Sequence, residues 1–335
     1  MSEKDSMDGS LITQETIKRL ARDVRQIKKS PLISNGIYYH HDEENMLKGY
    51  AMIIGPSDTV YANGYYFFEF NYPYDYPSSP PKVIFRTNQE KIRFNPNLYT
   101  NGKVCISILN TWRGDQWSSC QTISSILLTL CTLFTNEPLL NEPGINRQHR
   151  DFNSYNRIVE YANIDIAMLN IVEKAPQIYL PWFDMFYNDV ITHFKSNLLS
   201  IADNILDIIK KSKWSGRRED GTYYSINIYG MKVFAHYGKI VHRFNEIFAN
   251  YATPEMCKIW KPIEPYCRSY TLDEMNTEEL LNELLGITTP ELYSMPPTPK
   301  KPSKCQTVSH DKSSPPPTPT PIKSILKKKN NNIIG

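Results

Sequence analysis

The 335-residue chain is short of several features that would fix its class at once. No apolar run approaches the ~20 residues of a membrane-spanning helix, so no transmembrane segment and no membrane partner is expected. The start, Met1-Ser2-Glu3-Lys4-Asp5, is polar and acidic, unlike a secretory signal or an arginine-rich transit peptide. There are six cysteines, at 105, 120, 131, 257, 267 and 305, and no Cys-x-x-Cys. They lack zinc-ligand spacing, and reduced thiols in a cytoplasmic or nuclear protein are the expectation. No internal repeat is visible. A formal net charge of only +3 argues against a protein that works by coating nucleic acid or anionic membrane.

That small total conceals an uneven distribution. Residues 296–335 carry eight Lys and one Asp, a local +7, which leaves 30 basic and 34 acidic residues before them, a net −4. The same stretch holds nine of the 24 prolines, in Pro296-Pro297-Thr298-Pro299, Pro302 and the run 315–321. Proline removes backbone donors, and little apolar mass is present to offset the entropy of ordering, so a disordered tail is expected over 291–335. Residues 1–9 are expected to be a disordered lead. Lys327-Lys328-Lys329 reads as a solubilising run, with a nuclear or acidic-partner signal as the other reading.

Ile17, Leu20, Ala21, Val24 and Ile27 recur at helical spacing and predict an amphipathic helix over 11–29, stopped by Pro31. Lys18, Arg19, Arg22, Arg25, Lys28 and Lys29 crowd its polar surface. Gly36–His41, Tyr50–Ile54, Tyr65–Phe70 and Lys82–Arg86 are short aromatic or β-branched runs punctuated by Gly55-Pro56, Asn63-Gly64 and the proline-rich 76–81. They predict four strands in an antiparallel meander. Residues 88–118 have weak periodicity, and a loop that long inside a compact domain is usually functional. A buried helix is expected over 121–134, a turn over 136–144, an amphipathic helix over 155–172, and further helices over 182–213, 224–252 and 272–286. Residues 213–220 and 253–269 would connect them.

The long loop contains Arg93-Phe94-Asn95-Pro96-Asn97-Leu98-Tyr99-Thr100-Asn101-Gly102-Lys103-Val104-Cys105, with Trp117 further on. A cysteine in irregular structure can present its sulfur to a large partner, and a thiolate attacks carbonyls to form thioesters. A tetrahedral intermediate is stabilised by an amide donor fixed near the carbonyl, and Asn97 is the candidate. A lone cysteine is more often a small buried hydrophobe than a nucleophile, which is how Cys131, on the apolar stripe of its helix, reads. A cysteine hydrolase would need a base, generally histidine, and none of the seven histidines (40, 41, 149, 193, 236, 242 and 310) falls in the loop.

These residues carry a resemblance. Asn95-Pro96-Asn97, with Cys105 eight residues after Asn97, resembles the His-Pro-Asn signature of ubiquitin-conjugating enzymes. Gly55-Pro56 through Thr59, Tyr61 and Gly64 resembles the family's turn before the third strand. Tyr76-Pro77 with Pro80-Pro81-Lys82-Val83 resembles its passage into the fourth, and Trp117-Ser118 precedes a helix as in the family. The likeness is closer still to the Z-type, C-terminally extended branch, which charges ubiquitin and a modifier of two tandem ubiquitin folds. Arg93–Asn97, Asn101–Cys105, Thr111-Trp112-Arg113-Gly114 and Asn141-Glu142-Pro143-Gly144 resemble that branch, in which the signature histidine is also asparagine.

The resemblance implies an α+β ubiquitin-conjugating (UBC) fold over residues 10–172, followed by a helical extension over 173–290. It implies an acyltransferase that takes ubiquitin or a ubiquitin-like modifier from an activating enzyme as a thioester on Cys105. The modifier then passes to a protein lysine, with or via a ligase, and ATP is used by the activating enzyme, so no cofactor is bound here. Asn97 would support the oxyanion or hold the loop that does. Asn141 and Glu142 would orient and deprotonate the lysine, since Leu139 and Leu140 are apolar. Lys18, Arg19 and Arg22 would dock the activating enzyme. Ser78, Ser118 and Ser119 stand where many members present bulky or Ser-Pro-Ala ligase contacts, which weakens conventional RING docking. The runner-up is a catalytically silent scaffold that binds ubiquitin or a ligase.

Overall fold

In the computed structural model, which describes residues 12–87, 92–178, 180–212 and 221–261, Thr13 caps helix α1 (Gln14–Lys29). Its hydroxyl accepts from the Thr16 amide at 3.0 Å, and Glu15 in the first turn and Lys28 and Lys29 in the last suit the helix dipole. The inward face departs from the hydrophobic spacing. Thr16, Leu20, Asp23 and Ile27 are buried, while Ile17 is 41% exposed. The reason is tertiary: the Asp23 carboxylate accepts from the Tyr76 phenol at 2.6 Å and from Arg19 Nε at 2.9 Å, so a paired charge occupies a core position.

Strands β1 (Ile37–His41), β2 (Lys48–Ile54), β3 (Tyr65–Asn71) and β4 (Lys82–Phe85) pair antiparallel in chain order, the expected meander. β2 and β3 are buried along almost their whole length, the mark of a sheet covered on both faces. Ala51, Ile53, Tyr66, Phe68 and Phe70 face a core shared with α1, helix α2 (Ile123–Cys131) and helix α3 (Phe152–Ala162). Tyr50, Met52, Ile54, Tyr65 and Phe67 face a second core built with the C-terminal helices.

Helix α3 begins three residues before the expected start, widens into π-helix over Asn163–Leu169, and ends as α4 (Asn170–Val172). The expected amphipathic helix is instead buried through its middle, because it lies between the two cores. Ile158, Val159 and Ile166 belong to one, and Tyr161, Ile164 and Met168 to the other.

The expected helix over 182–213 is two helices, α5 (Asp184–Ser196) and α6 (Leu198–Lys211), broken at Asn197. The expected helix over 224–252 starts only at Tyr237. Before it comes a hairpin of β5 (Thr222–Ser225) and β6 (Lys232–Ala235), then α7 (Tyr237–Tyr251). Alternating Tyr223, Tyr224, Val233 and Phe234 around a turn closed by Gly230 at φ +63° favour strands over helix there. The expected connector after 252 contains a short helix, α8 (Pro254–Ile259), capped by Thr253.

The extension thus shares a core with the sheet. Arg243 on α7 locks it down, reaching Asp165, the Asn170 amide oxygen at 2.7 Å and Glu173 at 2.7 Å. Met1–Ser269 group into one unit, and a second, Tyr270–Gly335, lies outside the described residues. The expectations for 1–9, 272–286 and 291–335, and Cys267 and Cys305, lie outside them too. Among the described residues no helix is long and apolar enough to cross a membrane.

Candidate active site

The stretch between β4 and α2 is irregular but tightly stitched. Tyr99 N donates to Lys103 O and Gly102 N to Tyr99 O, both at 2.9 Å, with Gly102 at φ +87° where a side chain would be strained. Asn95 is fully buried and acts as the anchor. Its amide nitrogen donates to Leu133 O at 2.8 Å, at the end of α2, and its Oδ1 accepts from the Asn97 backbone at 2.9 Å. The Tyr61 phenol donates to Phe94 O at 2.6 Å, tying the Gly55–Gly64 turn to the same segment.

Asn97 and Cys105 are brought into direct contact. The Cys105 amide donates to Asn97 O at 2.9 Å, and Asn97 Nδ2 donates to Cys105 O at 2.6 Å. The side-chain donor is committed to the peptide of the cysteine itself, which is the loop-holding arrangement. Asn97 Oδ1 is buried without a hydrogen-bond partner, so the side-chain amide is held through its nitrogen.

The Cys105 residue is 3% exposed, and its Sγ donates to Thr111 O at 2.8 Å. Thr111 is fixed in turn, its hydroxyl accepting from Ile106 N and donating to Ile106 O, each at 3.0 Å. Gln116 gathers the rest of this segment by donating to Trp112 O and Gly114 O. Burial pushes the thiol pKa up, Lys103 and Arg93 pull it down, and the Glu142 charge opposes ionisation. The net shift is upward, so the resting sulfur is a protonated thiol under a flap. Its recorded partner is a backbone carbonyl and not an imidazole.

Beyond α2, Pro138–Asn141 form a 3-10 turn with Leu139 buried and Leu140 exposed. Asn141 donates to Asn95 Oδ1 at 3.4 Å, toward the anchor and not the sulfur. Glu142 Oε2 accepts from the phenol of Tyr229 at 2.5 Å. Tyr229, in the β5–β6 turn, is a site residue that sequence reasoning missed. The Tyr and Gly residues around it signal a hairpin, but nothing local says where that hairpin docks.

The basic face of α1 divides. Lys18 and Arg22 are exposed, whereas Arg19 turns inward to Asp23, Ser119 O and Gln121 O, with its guanidinium 5.6 Å from the Tyr76 ring. Arg19 therefore braces the approach to α2, in contrast to the outward presentation expected for it. Ser78, Ser118 and Ser119 are exposed. Trp117 Nε1 donates to Pro77 O at 2.8 Å and brings their two loops together beside α1.

Residues 19–163 match the family model described as ubiquitin-conjugating enzyme. Ubiquitin-conjugating enzyme E2 Z of Danio rerio is 40% identical over 169 residues, covering 50% of this chain and 51% of that protein. Ubiquitin-conjugating enzyme E2 Z of Homo sapiens is 40% identical over 173 residues, 50% of this chain and 48% of its own length. The dual E2 ubiquitin-conjugating enzyme/E3 ubiquitin-protein ligase BIRC6 of Homo sapiens is 40% identical over 172 residues, 47% of this chain and 4% of that protein. The chain spans about half the length of the E2 Z relatives it matches.

Proposed function

Because residues 19–163 belong to the ubiquitin-conjugating enzyme family, we propose that this protein carries ubiquitin or a ubiquitin-like modifier as a thioester on Cys105 and passes it to lysine. The observation that carries this reading is the clasp of Asn97 on the Cys105 peptide within a loop of that domain. In the first step the Cys105 thiol loses its proton and its sulfur attacks the thioester carbonyl on the activating enzyme, whose own sulfur leaves as a thiol. In the second, a lysine amine attacks the new thioester, the C–S bond breaks, an amide forms, and the Cys105 sulfur leaves and takes up a proton. Both steps pass through an oxyanion, and the Asn97 amide is the donor for the second, in which lysine attacks.

ATP is consumed by the activating enzyme, and this chain works without a cofactor. Lys18 and Arg22, exposed on α1, suit an acidic face of that enzyme. The loops of Ser78, Ser118 and Ser119 form the neighbouring surface for a ligase, and a cytoplasmic or nuclear setting suits the free thiol of Cys105.

The flap over Cys105 gives the silent-scaffold reading its one supporting observation, and a single gel separates the two. The protein is mixed with activating enzyme, modifier and ATP. An adduct lost on adding reductant is expected, and its absence with every modifier tried would overturn the enzyme reading. Cys105→Ser should give an ester that resists reductant; an unchanged thioester there would mean a different cysteine is used.

A further inference from the structure

The β5–β6 turn is anchored to the start of α3 and to Arg93 of the active-site loop. Asp151 Oδ2 accepts from the backbone amides of Asn227 and Ile228 at 3.0 and 2.9 Å, and the Arg93 amide donates to Met231 Sδ at 3.2 Å. Ile226 and Met231 are buried in the first core. Between these anchors stands Tyr229. Its ring lies 4.2 Å from the Arg93 guanidinium, whose distance to the Tyr99 ring is 3.9 Å, and meets Tyr155 edge-on at 5.8 Å. Arg93 Nη2 donates to Pro96 O at 2.6 Å, in the same loop that holds Asn97. The phenol of Tyr229 donates to Glu142 Oε2 at 2.5 Å.

From this geometry we propose that Tyr229, carried by the C-terminal extension, is a positioning residue for lysine attack. Its phenol fixes one oxygen of Glu142, so that Oε1 meets the incoming amine. This rests on the conjugating activity proposed above. In the step concerned, the lysine nitrogen bonds to the thioester carbonyl carbon and the C–S bond breaks. The ammonium proton goes to Glu142 Oε1 and on to water, and the departing Cys105 sulfur is reprotonated. Burial, and then the Glu142 carboxylate, push the phenol pKa far above its ordinary range, so Tyr229 remains a donor wherever the enzyme operates. Without it, the carboxylate loses its fixed direction while Arg93 and the loop stay in place.

The test uses the full chain. Wild type, Tyr229→Phe and Glu142→Gln are each charged to completion, the activating enzyme is quenched, and discharge is followed with free lysine and with hydroxylamine, which is already unprotonated at neutral pH. Tyr229→Phe keeps the ring on Arg93 and loses only the hydroxyl. Lysine discharge should fall about 10- to 100-fold, as expected for one lost hydrogen bond to a charged group, in the maximal rate and not in the half-saturating lysine concentration. Hydroxylamine discharge should stay within about twofold of wild type. Glu142→Gln should do the same, and the double variant should be no slower than the worse single one. Lysine discharge at the wild-type rate in Tyr229→Phe, or equal slowing with both nucleophiles, would overturn the positioning role and leave the conjugating activity standing. A wild type that never charges would overturn both.

Discussion

The thiol of Cys105 donates its hydrogen to the backbone carbonyl of Thr111 at 2.8 Å. This contact ties the 110–116 segment to the sulfur, and burial raises the thiol pKa. Alkylation of Cys105 by iodoacetamide at neutral pH should therefore be slower than that of Cys120 or Cys257, which are exposed. Its rate should rise with pH at a midpoint above the ordinary ~8.5 of a free cysteine. The sign follows from the raised pKa: the folded state holds this proton more tightly, so stability is full below the unfolded value and declines as pH rises through the folded one. Thr111→Val removes both ties to Ile106 and should speed alkylation about 2- to 10-fold, the effect of a neutral hydrogen bond. Site-resolved mass spectrometry reads both results.

Asn97→Ala removes the 2.6 Å clasp on the Cys105 carbonyl and the candidate oxyanion donor together. Charging should be largely retained, and discharge to lysine should slow about 10²-fold, the usual effect of losing one such donor. Single-turnover gels of the two steps separate the roles, since equal loss of both would identify Asn97 as a folding residue alone.

The two glycines that bound the turn from Gly55 to Gly64 leave no room for a side chain of their own. A Cβ on Gly55 would sit 1.9 Å from Tyr61 O, and one on Gly64 would sit 1.9 Å from Asn163 Oδ1. That Asn163 oxygen accepts from the Tyr66 phenol at 2.6 Å and its nitrogen donates to Ala62 O at 2.9 Å. Gly55→Ala must displace backbone and should cost at least about 1–3 kcal/mol. Gly64→Ala must break a buried hydrogen-bonded pair, at a cost of the same order. Urea midpoints at unchanged m-value measure each.

Truncation after residue 172 would strip α5 to α7 from the second face of the sheet. Tyr50, Met52, Ile54, Tyr65 and Phe67 would meet water as one apolar patch. Such a fragment should aggregate or bind a hydrophobic dye where the full chain does not, as light scattering and dye fluorescence would show. Discharge to lysine by any soluble fraction should fall as in Tyr229→Phe.

Much of this was legible before any fold was drawn. The four strands lie within two residues of the runs that announced them, because turn residues and β-branched or aromatic clusters act locally. The Asn97–Cys105 pair was legible for the same reason, since the seven residues between them close on themselves through Tyr99, Gly102 and Lys103. The unbroken aromatic run Tyr65–Phe68 also held a signal that the sheet is covered twice, which alternation alone did not expose. The 224–252 segment misled because its β5–β6 strands are only four residues each, too short for periodicity to separate from helix.

By itself, then, the sequence determined the meander and the irregular loop that pairs Asn97 with Cys105, both products of neighbours acting on neighbours. Only the tertiary structure decided that Asp23 lies on the buried face of α1, that Arg19 turns inward, that the extension closes the sheet, and that Tyr229 meets Glu142 across 87 residues of chain. Those pairings exist because burial rewards whichever distant groups can satisfy one another's charge and surface. That choice is made between whole elements once they pack, and it leaves no mark in the local pattern of either partner.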